Sequence, residues 1–173
     1  MTAVDAAGVN AAAWAVLAGV PDPEVPALSV VDLGIVREVV AGTHGTNGEH
    51  GMHVVLTPTY SGCPATEVIS ASVHDALVQA GLGPVTVSLR LAPAWTTDWI
   101  TAEGRQRLLA YGIAPPGAAC INASPVRLRP RNIACPRCAS MQTEQLSAFG
   151  STACKALHRC LDCREPFEYF KPI

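Results

Sequence analysis

Hydrophobic and polar positions change period several times along this chain, and each change predicts an element. Ala11 to Ala18 is almost wholly apolar. Asn10 before it and Gly19 and Pro21 after it predict a short capped helix. In Asp22-Pro23-Glu24-Val25-Pro26 two prolines three apart forbid regular helix and impose an extended or turning loop. Ile35 to Val40 is a β-branched run opened by Gly34 and reads as a strand. Four glycines between Ala41 and Gly51 mark a loop, and Met52 to Thr57 reads as the hairpin partner of the first strand.

The period then becomes helical. Ile69, Val73, Ala76, Leu77 and Ala80 form one stripe, with Gly81 placed to end it. Pro64 suits a first helical turn, which predicts Cys63 at the N-cap. Val85, Val87, Leu89 and Leu91 alternate with Thr86, Ser88 and Arg90, the period of a half-buried strand. Strand, helix and strand in that order predict a β-α-β unit. Thr101 is placed to cap a helix through Ala110 that ends at Gly112. From Ala114 to Ala134 four prolines and three arginines occur without periodicity, as in a linker. The predicted class is α+β/α/β, a small mixed sheet with flanking helices and a C-terminal metal ribbon. The predicted boundaries are an α/β domain over 1–113, a linker over 114–134 and a ribbon over 135–173.

Composition narrows the function. Apolar residues are 49% and charged residues 15%, enough apolar surface for a core. No apolar run approaches the roughly 18 residues of a membrane span. The first basic residue is Arg37, so no secretory signal is read and a cytoplasmic protein is expected. Residues 1–126 carry four basic and ten acidic side chains (−6), and 127–173 carry eight and four (+4). Opposite signs fit two modules. The basic tail lacks the dense Lys/Arg stripe of a phosphate-binding face, so neither nucleic acid nor membrane is expected as partner.

Of seven cysteines, five lie in the last 39 residues. Cys135-Pro-Arg-Cys138 and Cys160-Leu-Asp-Cys163 are two C-x2-C pairs, a zinc-ribbon spacing. Each pair lets one tight knuckle aim two thiolates at a cation, and four thiolates close a tetrahedron with no open position. Structural zinc is expected, with iron in a rubredoxin-like site as the rival. Glycine often follows the second cysteine of a knuckle, where a left-handed turn helps, but Ala139 and Arg164 stand there, which predicts strain. Cys154 is an extra thiol, read either as a small buried hydrophobe or, beside Lys155, as a redox or metal-transfer group. Cys120 falls in the linker.

Cys63, in Thr57-Pro58-Thr59-Tyr60-Ser61-Gly62-Cys63-Pro64, stands alone. At a helix start, unpaired N–H groups and the helix dipole favour a thiolate, so an exposed, reactive sulfur or soft-metal ligand is expected. No general base accompanies it: His44, His50 and His53 lie in or beside the glycine-rich loop, and His74 and His158 lack a catalytic frame.

The stretches Asp22 to Pro26, Val31-Asp32-Leu33-Gly34-Ile35-Val36 and Thr57 to Pro64 together resemble the MIP18 (DUF59) family, which is linked to iron–sulfur cluster assembly. Phe149-Gly150-Ser151-Thr152-Ala153-Cys154-Lys155-Ala156 and Arg164-Glu165-Pro166-Phe167-Glu168-Tyr169-Phe170-Lys171 narrow this. They are similar to the phenylacetate-degradation PaaD (PaaJ) family, the D components of ring-1,2-phenylacetyl-CoA epoxidase systems. The resemblance implies an accessory role without catalysis. It implies oxygenase and reductase components as partners, and Cys63 as a transient iron or cluster ligand with Asp22, Glu24 and Thr57 as neighbours. A lone thiolate cannot enclose a cluster, so a homodimer or a site shared with the client is expected. Two other functions stay open: a structural subunit of the oxygenase, and a thiol or redox protein.

Overall fold

The computed structural model describes residues 6–43, 50–60, 62–117 and 133–173. They fall into two units, Met1–Trp95 and Thr96–Ile173. The predicted helices and strands form, with shifts at their ends that decide where the chemistry sits.

In the first unit α1 (Ala6–Leu17) precedes β1 (Val36–Thr43), β2 (His50–Leu56), α2 (Thr66–Gln79) and β3 (Val85–Leu89). The sheet order is β1-β2-β3; β1 and β2 are an antiparallel pair, and β3 runs parallel to β2. The predicted hairpin and β-α-β unit are therefore both present. Ile69, Val73 and Leu77 of α2 are buried, as are Met52, Val54 and Leu56 of the central strand and Leu17 of α1. This apolar layer is the unit's core. At the sheet edge the predicted alternation of β3 buries only partly, and Leu89 and Leu91 remain exposed.

Two helix starts differ from expectation. α1 begins at Ala6, so Asn10 lies inside it rather than at its cap. Its Oδ1 accepts a hydrogen bond from Ala41 N of β1 at 2.8 Å, a tertiary tie that local sequence cannot show. α2 begins at Thr66 with Ala65 as N-cap, so Cys63 precedes the cap by two residues. Thr66 N donates to Cys63 O at 3.1 Å, a tight turn, and the first full helical bond runs from Ile69 N to Ala65 O.

In the second unit α3 (Ala102–Tyr111) has the predicted caps. Thr101 Oγ1 accepts from Gly104 N at 2.9 Å, and Gly112 ends the helix at φ 90°. β4 (Ile113–Ala114), β5 (Thr143–Ser147), β6 (Lys155–Cys160) and β7 (Pro166–Phe170) follow. They make a sheet of order β4-β7-β6-β5. α3 and Ile113, read from sequence as the end of the first domain, and Ala114, read as the start of the linker, fall in the second unit. β4 pairs in parallel with β7, and Thr97 N donates to the carbonyl of Ile173 at 3.2 Å. A two-residue strand has no readable period, which is why the sequence hides this edge. Cys120, His44 and most of the linker lie outside the described residues.

A buried ion pair fixes the loop before β6. Lys155 is 3% exposed and lies 2.9 Å from Glu168 Oε2, while Ser151 N donates to Glu168 Oε1 at 2.6 Å. A Cβ at Gly150 would stand 2.6 Å from that same Oε1, so glycine is what lets the loop close on the carboxylate. Desolvation raises the carboxyl of Glu168, but the Ser151 N–H and Lys155 outweigh it and hold it below its ordinary range. Its stabilisation is thus complete above the unfolded pKa and is lost as pH falls through the depressed folded value. Glu168→Gln removes the counter-charge beside the buried ammonium and is expected to destabilise the unit by about 3 kcal/mol at neutral pH, measured by denaturant unfolding.

Candidate metal centre and thiol loop

The four ribbon cysteines converge. The sulfurs of Cys135, Cys138, Cys160 and Cys163 all lie within 4.8 Å of one another. Cys135 Sγ is 3.7 Å from Cys163 Sγ, and Cys138 Sγ is 3.6 Å from Cys160 Sγ. A tetrahedron with metal–sulfur bonds near 2.3 Å has sulfur–sulfur edges of about 3.8 Å, so the donor set fits one tetrahedral cation.

Each knuckle is the same turn made twice. Cys135 N donates to Ser140 O at 2.9 Å, and Cys160 N donates to Glu165 O at 3.0 Å, five residues on in both cases. Closing that turn requires a left-handed residue four places after the first cysteine. These residues are Ala139 (φ 58°) and Arg164 (φ 66°), the two non-glycine residues with positive φ among those described. The strain expected from sequence is present. A left-handed L-residue costs roughly 1–2 kcal/mol, and a glycine there costs roughly 0.5–1 kcal/mol in chain entropy. Ala139→Gly and Arg164→Gly are each expected to stabilise the metal-bound unit by up to about 1 kcal/mol, read as a higher unfolding midpoint.

Side chains clasp the two knuckles together. Arg137 Nη1 donates to Glu165 Oε1 at 3.1 Å, Ser140 Oγ donates to Asp162 Oδ2, and Leu161 N donates to Gln142 O at 2.8 Å. Cys135 and Cys160 are buried with Ala114, Ala156, Phe167 and Tyr169 in the core of the unit, whereas Cys138 and Cys163 are exposed. Their proton affinities pull apart. The N–H of Cys163, helped by that of Asp162, brings Cys160 down to about 7 against desolvation. At Cys163 the Glu165 N–H favours the thiolate, but desolvation and the sulfurs of Cys160, Cys138 and Cys135 push the thiol up to about 12. Cys160 and Cys163 thus do not ionise together on their own, and a dication between the sulfurs removes the conflict.

Cys154, the extra thiol, is buried, with Thr152 Oγ1 at 3.0 Å from its sulfur. Of the histidines, His53 Nε2 is 2.8 Å from Ser88 Oγ across β2 and β3, and His74 forms an exposed pair with Asp75.

The other candidates belong to the first unit, on loops around the C-terminal end of β2. In open α/β sheets that end of the strands is where ligands bind. A relay of backbone bonds ties the loops together there. Thr57 N donates to Ile35 O at 2.8 Å, Ile35 N to Val30 O at 3.0 Å, and Val30 N to Val20 O at 3.0 Å, next to the Asp22 loop. Asp22 is buried, and its Oδ1 accepts from Glu24 N at 2.9 Å and Val25 N at 2.7 Å, which shapes that loop. Glu24 is half-buried. Thr57 is 2% exposed, and its Oγ1 has no hydrogen-bond partner among the described residues. Sequence offers Thr57, with Thr59 and Ser61, as a hydroxyl that could bond a bound group, and the resemblance singles it out; the orphaned hydroxyl adds a physical reason to consider it.

Cys63 is not the exposed thiol expected from sequence. It is 9% exposed, because turns on both sides fold it into the loop. Its N–H donates to Tyr60 O at 3.2 Å, and its carbonyl accepts from Thr66 N. Gly62 before it holds φ at 98°, and among the described residues nothing lies within 4 Å of a Cβ position there.

Comparison with known proteins agrees with both halves. Residues 10–89 match the family profile described as iron-sulfur cluster assembly protein, and residues 123–171 match the PaaD zinc beta ribbon domain. The chain is 51% identical over 160 residues to an Escherichia coli (strain K12) protein provisionally described as the D-type subunit of 1,2-phenylacetyl-CoA epoxidase. That alignment covers 92% of this chain and 91% of the relative. The crystal structure of a DUF59 domain from Bacillus anthracis matches with a TM-score of 0.52 at 24% identity, over 60% of this chain and 93% of that one, a likeness of fold. No helix among the described residues is long and apolar enough to cross a membrane. An assembly-type α/β unit joined to a four-cysteine ribbon, over nearly the full length of such a relative, places this chain in the PaaD family of phenylacetyl-CoA epoxidase components.

Proposed function

We propose that the chain is an accessory factor that holds or passes iron or an iron–sulfur cluster for a multicomponent epoxidase. Cys63 is the soft ligand, Thr57, Asp22 and Glu24 shape its surroundings, and the ribbon, closed by zinc on Cys135, Cys138, Cys160 and Cys163, docks the client. The observation that carries this reading is the buried, unpartnered hydroxyl of Thr57 on the same β2–α2 connection as Cys63. A polar atom left unsatisfied in a stable fold points to a polar ligand at that place. The metal or cluster is cargo, and because Cys63 is buried, transfer on this reading requires the thiol to become exposed. One protomer offers one such thiol, so a second protomer or the client completes the ligand set. The reductase and oxygenase components of a phenylacetyl-CoA epoxidase are the expected clients, in the cytoplasm.

The test is maturation of a client in a strain lacking this protein. Wild type restores cluster occupancy of the reductase, and Cys63→Ser leaves it at the deletion level. Full occupancy with Cys63→Ser overturns the role.

Two observations favour a second reading, a stoichiometric component of the oxygenase: Cys63 is buried, and the 51% identical relative is named as a subunit of the epoxidase. Co-purification at a fixed ratio with the oxygenase components, with wild-type activity for Cys63→Ser, is the outcome that reading requires.

A further inference from the structure

A cavity of about 240 Å³ opens on the ribbon sheet, within the second unit. Neither metal handling nor the tetrathiolate uses it. Its construction begins at a β-bulge. β5 and β6 keep register from Thr143↔Cys160 to Gln145↔His158, after which Ser147 pairs with Leu157, so Leu146 is an extra residue on β5. Bulges bend edge strands, re-aim side chains and recur beside functional sites. Beyond this bend, Ala148 and Phe149 line the cavity together with Gln145, His158, Tyr169 and Lys171.

The lining has a consistent chemistry. His158 is 5% exposed, with its Nδ1 sealed and without a hydrogen-bond partner among the described residues. Its ring stacks on Phe167 at 5.6 Å and meets the edge of Tyr169 at 5.6 Å. A phenylalanine could fill that aromatic slot without an orphaned nitrogen, so the imidazole contributes something that packing does not require. Lys171 Nζ lies 4.5 Å from the centre of the Phe149 ring and donates to Ala148 O at 3.1 Å. An ammonium has three donors, so this contact does not exhaust it. Among the described residues no carboxylate lines the cavity, whereas an ammonium, a carboxamide and an imidazole do, and Ile133, Ala148, Phe149 and Ala156 supply apolar wall. At ~30 Å³ per water the volume is that of roughly eight waters, enough for one ring and its substituent.

We infer that this cavity is a binding site for a carboxylate carried on a small apolar body, with Lys171, Gln145 and His158 facing the charged end and Phe149 the apolar one. The same chemistry is presented by a free aromatic acid and by the C-terminal residue of another protein. The inference is independent of the role proposed for Cys63.

The experiment titrates the zinc-loaded full chain, labelled with ¹⁵N, with benzoate, benzyl alcohol, N-acetylphenylalanine and N-acetylphenylalanine amide. The carboxylates shift the resonances of Phe149, His158 and Lys171 saturably. Their neutral counterparts bind at least about tenfold more weakly, the loss of one charge-assisted hydrogen bond. Lys171→Met and His158→Phe each weaken carboxylate binding about tenfold while zinc content stays at the wild-type value. Tighter binding of N-acetylphenylalanine assigns the site to a protein C-terminus, and tighter binding of benzoate assigns it to a free acid. Absence of saturable shifts overturns the inference, as does equal binding of charged and neutral probes or indifference to Lys171→Met.

Discussion

Removing zinc with a strong chelator at neutral pH is expected to unfold the second unit and leave the first unit folded. The buried cluster at the metal site is built around two of the ligands themselves, Cys135 and Cys160, with Phe167, Tyr169, Ala114 and Ala156. Without a cation those sulfurs are a thiol pair at one end of a thin sheet. Structural zinc in such modules contributes about 10–16 kcal/mol of apparent binding free energy, more than the net stability of an ordinary domain. The first unit buries its own apolar side chains on α1, α2 and β2 and contains none of the ribbon ligands. In a two-dimensional amide spectrum, the resonances of 133–173 should collapse on chelation, with those of 50–89 unmoved. Cys160→Ser should do the same without a chelator. Acid acts in the same direction, since protons compete with the cation for each thiolate, and the loss grows as pH falls.

The second large effect separates structure from function in the thiol loop. Thr57→Val keeps the shape of the side chain and removes an oxygen that has no partner among the described residues. Such a replacement is expected to stabilise the first unit by roughly 1–2 kcal/mol, because a buried unsatisfied hydroxyl carries its full desolvation cost. In the same protein, iron retention and client maturation should fall at least tenfold. Cys63→Ser should abolish both at a cost of roughly 1–2 kcal/mol in stability, because a hydroxyl replaces a buried thiol. If Thr57→Val destabilises the fold, the hydroxyl has a structural partner and its link to a ligand fails. Urea unfolding of the first unit, read beside client occupancy, distinguishes the cases.

Much of this is legible in the residues, for physical reasons that differ from place to place. The C-x2-C pairs are legible because spacing is itself the geometry: two intervening residues dictate one knuckle, and the missing glycines at 139 and 164 announce the left-handed strain that the backbone shows. The hairpin, the α2 stripe and the Thr101 and Gly112 caps are local signals, read within a single turn or pleat. What stays hidden depends on contacts distant in sequence. Asn10 resembles a cap until its partner, Ala41, is known to be 31 residues away. β4 is two residues long and exists only because β7 lies beside it. The burial of Cys63 escapes a reading that starts the helix at Pro64, because an added turn delays α2 to Thr66. The cavity beside His158 requires a bulge whose extra residue, Leu146, has no mark in the sequence.

Metal content of the protein purified with and without oxygen, for wild type and Cys63→Ser, tests the central claim most directly. The account predicts a single zinc ion per chain in every preparation, as four closed thiolates require. It also predicts iron in the anaerobic wild type that disappears with the substitution. Iron unchanged in Cys63→Ser, or bound by the ribbon cysteines in place of zinc, would contradict it.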